Sequence, residues 1–485
     1  DDEAEYLEEQ RLKTLIEKHS KFTSFPIYLW SKTSETIEVP VEDVDQEEKE
    51  TAEEKEDENK AEVEDDTEDT EDKPKTTTQT IEKEEWTQVN SRQPIWMRDP
   101  KDVSEDEYKE FYQDFTKEVS DPLTYNHFKA EGTMDFRGLI FIPAKQPNNY
   151  IQSFQSTVNS VKLFVKRVFI TDELGEFLPR YLNFVKVLID ADDLPLNVSR
   201  ETLQNSRELN SIKKTLVRKI LDTLGRLAIK DPKKYKNFLE QFGANLRMGI
   251  TEDNPNRSKI ARLLRFDSSA SKHPTSFEEY VSRMKKGQKS IYYIAANSLA
   301  EAKASPYVEA LLARGYEVLF MTNQLDEYTM QALMQYNGKQ LRNVAQSGFE
   351  FGDEDEADKT TLKDLEKDYE PLVKFLGDHL SERIEKAVVS NRLTTSPCAI
   401  AASNMGWSGT MERFMKAQDR GQNDFMTKYY LSQKKVFEIN PYHPIMKDLL
   451  KRVADNKDDE KVKTTAEILL DTATLQSGYD LQDIP

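Results

Sequence analysis

The chain has 485 residues, of which 37% are hydrophobic and 32% charged, with a net charge of −21. That length exceeds what one hydrophobic core serves and calls for roughly three domains. A lone cysteine, Cys398, excludes an intrachain disulfide and a thiolate zinc site, and the lack of any run near 18 apolar residues excludes a membrane-spanning helix.

Glu5–Ser20 reads as an amphipathic helix with Leu7, Leu12, Leu15 and Ile16 on one face, and Phe25–Trp30 reads as a strand. The stretch 34–83 differs in kind. Residues 41–72 hold 19 Asp or Glu against Lys49, Lys55 and Lys60, which is most of the net charge of the chain. Such a segment cannot bury enough apolar surface to offset its chain entropy, so a disordered tether of about 50 residues spanning roughly 40 Å is expected. Its carboxylates attract Ca2+ diffusely, since no D-x-D-x-D-G loop pattern is present.

Ser104-Glu-Asp-Glu107 is a capping box ahead of an aromatic-rich helix, Tyr108–Phe115. Strand-like segments follow at 138–142, 163–170 and 184–189, flanked by helical stretches, so a mixed sheet covered by helices is predicted. Helices are expected from Glu201 to about Gly249, broken at Asp231-Pro232, and again near 256–264. After a second capping box, Ser276-Phe-Glu-Glu279, the order strand 290–295, helix 299–314, strand 316–321, helix 327–334 is a βαβα unit. The acidic patch 350–358 marks a boundary, and 362–389 opens a mainly helical C-terminal region. The fold class is therefore α/β (α+β) and multidomain. Expected divisions are 1–33, an acidic linker 34–84, a middle region 85–355 (parts 85–200, 201–270 and 271–355), and 356–485.

Asp193-Leu-Pro-Leu-Asn-Val-Ser-Arg-Glu-Thr-Leu-Gln204 ends a hydrophobic run and precedes a helix, which sets Arg200 at a strand-loop-helix junction. There its five-donor fork, with the amides of the helix start, can reach toward an anion such as phosphate. Spacing alone leaves open a plain exposed arginine paired with a carboxylate. No G-x-x-x-x-G-K-[ST] loop occurs, since Gly287-Gln-Lys-Ser290 lacks both the first glycine and the Gly-Lys pair. The five histidines are scattered without metal-ligand spacing, so no metal site is assigned.

Trp407, Met411, Phe414 and Met415 recur at helical offsets, which fits a core or dimer stripe as well as an adaptable partner surface. In the last helical segments, 444–453 and 462–475, Ile445, Leu449, Leu450, Val453, Ile468, Leu469 and Leu475 lie on apolar faces too short to make a domain alone. Cys398 is expected to be buried, and Asn197-Val-Ser and Asn256-Arg-Ser are glycosylation sequons.

Segments along nearly the whole chain resemble the 90-kDa heat-shock protein family of ATP-dependent chaperones. They include Arg92-Gln-Pro-Ile-Trp96, Arg137-Gly-Leu-Ile-Phe-Ile-Pro143, Lys166-Arg-Val-Phe-Ile-Thr-Asp172, Asp193–Gln204 and Tyr429-Tyr-Leu-Ser-Gln-Lys-Lys435. Lys386-Ala-Val-Val-Ser390, Ser396-Pro-Cys-Ala399, Phe437-Glu-Ile-Asn-Pro441 and Ser477-Gly-Tyr479 resemble its endoplasmic-reticulum branch. The resemblance implies a piece of a longer protein in which 1–33 closes an N-terminal ATP-binding domain lying mostly outside this chain. It implies that Arg200, with Asn197 and Gln204, reaches the γ-phosphate of ATP held in that domain, so that this chain alone does not turn over ATP. It further implies a client-contact region at Trp407, Met411, Phe414 and Met415 with Phe169, a homodimer made by the last helices, and the endoplasmic-reticulum lumen as location. Partners would be unfolded client proteins and co-chaperones; no nucleic acid and no membrane insertion are expected.

Overall fold

The computed structural model describes residues 8–19, 26–40, 76–90, 94–132, 134–146, 160–172, 174, 177–192, 194, 207–352, 354, 356–403, 406–418 and 425–481. After a helix, Glu9–His19, comes a long antiparallel ladder of β1 (Tyr28–Pro40) and β2 (Thr76–Gln88), with Trp30 directly opposite Trp86. The indoles meet edge to face at 5.4 Å, an arrangement that stabilises a two-stranded pair. Residues 34–40 and 76–83, expected to be coil, are thus strand. The β-branched runs Thr36-Ile37 and Thr76-Thr-Thr-Gln-Thr-Ile81 account for this, because they favour extended backbone over coil. The acidic tract 41–72 lies outside the described residues.

The largest sheet is built from β3 (Pro122–Ala130), β4 (Phe136–Pro143), β5 (Val161–Val165), β6 (Val168–Thr171) and β7 (Lys186–Ala191) in the order β3-β4-β7-β5-β6. Only β5 and β7 run parallel, so the sheet is mixed. The near-continuous apolar sequence of β4 follows from cover on both faces. Leu139, Phe141 and Leu188 pack under Trp96, Tyr108 and Tyr112, which belong to the segment ending in the helix Glu105–Thr116. Ile140, Ile142, Val187 and Ile189 face the helices Arg207–Lys230 and Pro232–Glu252. The Ser104 capping box is formed, with Glu107 N–H bonded to Ser104 Oγ at 3.3 Å and Ser104 N–H to Glu107 Oε2 at 2.9 Å. Asp231 caps the second long helix by accepting from Lys234 N–H at 2.9 Å, and Pro232 occupies its first turn. Leu209, Ile212, Leu216, Ile220 and Leu224, at three- and four-residue steps on one helix face, are all buried.

A second five-stranded sheet holds β8 (Asp267–Ser268), β9 (Ser290–Ala295), β10 (Leu319–Met321), β11 (Gln335–Tyr336) and β12 (Lys339–Asn343), ordered β11-β12-β9-β10-β8. Its parallel β9–β10 pair, joined through the helices Leu299–Ala304 and Glu309–Ala313, is the βαβ crossover read from the sequence.

The C-terminal region is mainly helical, as its sequence suggests, and is built around a small sheet. A three-stranded sheet of β13 (Ile384–Val389), β14 (Cys398–Ala401) and β15 (Lys435–Ile439) lies at its centre in the order β13-β15-β14. Within 362–389 the helix ends at His379 and the strand β13 follows after a turn. Helices Glu356–Asp368, Glu370–His379, Pro444–Asp455 and Glu460–Gln476 surround this sheet. One apolar cluster joins the second and third sheets, since Tyr292, Ile294, Tyr307 and Phe320 pack with Leu393, Ala399 and Ala401. The boundary placed at 355/356 is therefore crossed by a shared core.

Candidate functional site

Arg200, Asn197 and Gln204 lie outside the described residues, whereas both ends of their loop are fixed. The entering strand β7 is pinned at Asp190, a buried carboxylate that accepts from Trp96 Nε1–H at 2.7 Å and from the Arg167 backbone N–H at 3.1 Å. Arg167 can present its amide because Lys166 and Arg167 turn with φ of 50° and 68°, the left-handed region that tight turns use. Beyond β7, Leu194 is buried; on the exit side, Leu209 and Ile212 lock the helix that starts at Arg207. Trp96 closes the Arg92–Trp96 motif, so that motif serves to anchor the strand feeding the arginine loop. Sequence reading gave Trp96 no partner, because Asp190 is 94 residues away.

The second candidate, 407–415, divides into two parts. The helix runs Gly409–Gln418, so Trp407 precedes it rather than sharing its stripe. Trp407 and Met411 are buried, while Phe414 and Met415 are half-buried. Trp407 stacks on Tyr430 at 4.7 Å, and its carbonyl accepts from Tyr479 Oη–H at 3.1 Å. Trp407 and Met411 are thus packed anchors, and Phe414 and Met415 carry what surface the segment offers. Phe169, on β6, stands against Phe164 at 5.6 Å in the aromatic layer around Trp96, in a cluster apart from Trp407.

Polar contacts seat this helix. Ser408 caps it, accepting from Met411 N–H at 3.2 Å while its hydroxyl donates to Glu327. Glu327 is enclosed, and burial pushes its carboxyl up to about 7, even though Ser408 and Asn343 donate to it. Thr410 donates to the Ala295 carbonyl at 3.1 Å, and Arg413 reaches Gly478 O at 2.5 Å and Glu301 at 3.3 Å. At Gly409 the backbone touches the Gly478 turn so closely that a β-carbon would overlap the Gly478 carbonyl. The segment is held by the second sheet on one side and by the end of the last helix on the other.

The residues assigned to dimerisation also separate. Leu449, Val453 and Leu469 fill the core of the subunit itself with Leu372, Phe437 and Val462, and Leu450 is partly buried against it. These helices pack that face on the three-stranded sheet. Ile445, Ile468 and Leu475 remain exposed, at 44%, 59% and 57%.

Cys398 is buried, and desolvation pushes its thiol up to about 12, so it is a packing residue. Among the described residues no cluster of His, Cys, Asp or Glu is arranged to hold a metal, and no helix is long and apolar enough to cross a membrane.

A family model described as Hsp90 protein matches residues 5–485. The endoplasmin homolog of Caenorhabditis elegans is 45% identical over 485 residues, covering 99% of this chain and 61% of that protein. The endoplasmin homologs of Hordeum vulgare and Catharanthus roseus are each 42% identical across 100% of this chain, covering 61% and 62% of their own lengths. The chain therefore spans about three-fifths of the curated relatives it matches. With a family match that runs over almost every residue, the chain belongs to the Hsp90 family.

Proposed function

We propose that this chain is the middle and C-terminal part of an ATP-dependent molecular chaperone that works as a homodimer. In this reading Arg200, flanked by Asn197 and Gln204, meets the γ-phosphate of ATP bound in a part of the longer relatives that this chain does not span. The observation that carries it is the anchoring of the arginine loop, with Asp190 tied to Trp96 on one side and Leu209 and Ile212 buried on the other. A cation delivered from a fixed strand-helix frame loses little positional freedom on contacting a phosphate. Family membership supports the same reading.

Client proteins would contact Phe414 and Met415, and Ile445, Ile468 and Leu475 would face a second copy. The endoplasmin names of the relatives support the endoplasmic-reticulum lumen as the location. Diffuse Ca2+ association with the tract 41–72 remains part of the proposal, and calorimetric titration tests it; a stoichiometric high-affinity site would favour a calcium-binding scaffold instead. The deciding experiment for the main reading is Arg200→Ala in the longer protein that includes the nucleotide-binding part. Loss of one charge-assisted contact lowers hydrolysis about tenfold or more. Unchanged hydrolysis overturns the arginine's role.

A further inference from the structure

An open groove of about 640 Å³ lies between the first half of the helix Arg207–Lys230 and the turn 252–259. Four cations line it: Lys213, Lys214, Arg218 and Lys259. Lys214 and Arg218 are four residues apart on one helix face, and Lys214, Arg218 and Lys259 are exposed. Two carboxylates share the groove, but Asp253 is already committed. It accepts from Tyr181 Oη–H at 2.8 Å and from Asn256 Nδ2–H at 2.9 Å. Glu252 is left against Lys214, Arg218 and Lys259. Among the described residues no carboxylate forms a salt bridge with Lys214, Arg218 or Lys259. In a chain of net charge −21, such an excess of cations is a local exception that calls for an anion.

We infer that this groove is a docking surface for an acidic polypeptide, and that its occupant is the tract 41–72 of the same chain. Charge selects it: 19 acidic residues against three lysines make this the most concentrated anion the sequence contains. The 35 residues between Pro40 and Thr76 have a contour of about 120 Å, so the middle of the tract can extend about 60 Å from the strand ends. Tethering supplies an effective concentration on the order of millimolar, which turns weak ionic contacts into appreciable occupancy. The inference stands without any assumption about ATP.

Zero-length carbodiimide coupling of the full chain, followed by peptide mapping, tests this. Carboxylates of 41–72 should couple to Lys213, Lys214 and Lys259 several-fold more than to Lys233, Lys234 and Lys236, which lie on the neighbouring helix outside the groove. The preference should vanish in about 1 M salt, where the screening length is about 3 Å. It should also weaken at Lys214 and Lys259 in Arg218→Glu. If that variant misfolds, Arg218→Gln gives the same comparison with a smaller change. Equal coupling at the two lysine sets, or preference untouched by salt, overturns the inference. Coupling found only between heavy- and light-labelled chains overturns the assignment to the chain's own tract.

Discussion

Arg392 and Glu438 form an enclosed ion pair across 46 residues of sequence, with Arg392 Nε donating to Glu438 Oε2 at 2.8 Å and the guanidinium also donating to the carbonyls of Val344 and Gln346. The same guanidinium lies 4.9 Å from the Tyr307 ring centre. One side chain thus ties the end of β12, the loop after β13 and the strand β15. Removing it strands a buried carboxylate, to which the Ser390 hydroxyl still donates at 2.9 Å. Arg392→Met should therefore lower the stability of the C-terminal region by about 3–5 kcal/mol in denaturant unfolding. Combining it with Glu438→Leu should restore part of that loss, because the orphaned charge is gone.

Glu309 makes a different junction. Its carboxylate accepts from the backbone N–H groups of Thr394, Thr395 and Ser396 at 2.8, 2.8 and 3.2 Å, and from all three hydroxyls. Burial alone would raise its pKa, but these hydrogen bonds hold it at about 2. A depressed folded pKa contributes stability that is present above the ordinary value near 4.5 and is lost as pH falls toward 2. Glu309→Gln should flatten the stability profile between those two pH values and lower stability at neutral pH. A wild-type profile retained in the variant would contradict the assignment.

At Glu327 the sign reverses. Its carboxyl is raised to about 7, so the folded state prefers the protonated form and stability falls as pH rises from about 4.5 through 7. Glu327→Gln keeps an acceptor for Ser408 without the buried charge. Its melting temperature should exceed that of the wild type at pH 8 and match it near pH 4.5, as read by thermal unfolding.

Met411 and Met415 should respond oppositely to the same change. Met411→Ser removes a buried side chain and should cost about 2–5 kcal/mol of stability. Met415→Ser, at a half-buried position, should leave folding almost intact and weaken binding of an unfolded protein measured by fluorescence anisotropy. Unchanged affinity in the folded Met415 variant would remove this helix as a client contact.

Ile468→Asp with Leu475→Glu tests the exposed apolar face. Light scattering at micromolar concentration should give the dimer mass for wild type and the monomer mass for the double variant, with no loss of secondary structure. Leu449→Ala should instead lower stability, because its side chain belongs to the subunit core.

Local signals in the sequence carried much of the secondary structure. Strand β9 spans the stretch expected for it, and the Asp231-Pro232 break splits the long helical region because a side-chain cap and a missing amide both act within four residues. The Ser276 capping box likewise needs only Ser276 and Glu279. Long-range pairs were not legible, since nothing in the sequence near Trp96 points to Asp190, or near Glu309 to Ser396. Strand β13 escaped because Ile384-Glu-Lys-Ala-Val-Val389 is short and only Leu380-Ser-Glu-Arg383, with no proline or glycine, separates it from the preceding helix. In the candidate client segment, offsets placed Trp407 on a helix that in fact begins two residues later, after the Ser408 cap. The apolar pattern of the last helices was read correctly as apolar, but pattern alone does not tell the face that meets the subunit's own sheet from the face left outside.

The contact of Gly409 with the Gly478 turn limits the ways in which the helix 409–418 can move. Two backbones in direct contact leave no room for the helix to slide along its axis toward that turn, or to roll a bulkier atom past it. Any side chain at position 409 would have to displace either the turn or the start of the helix.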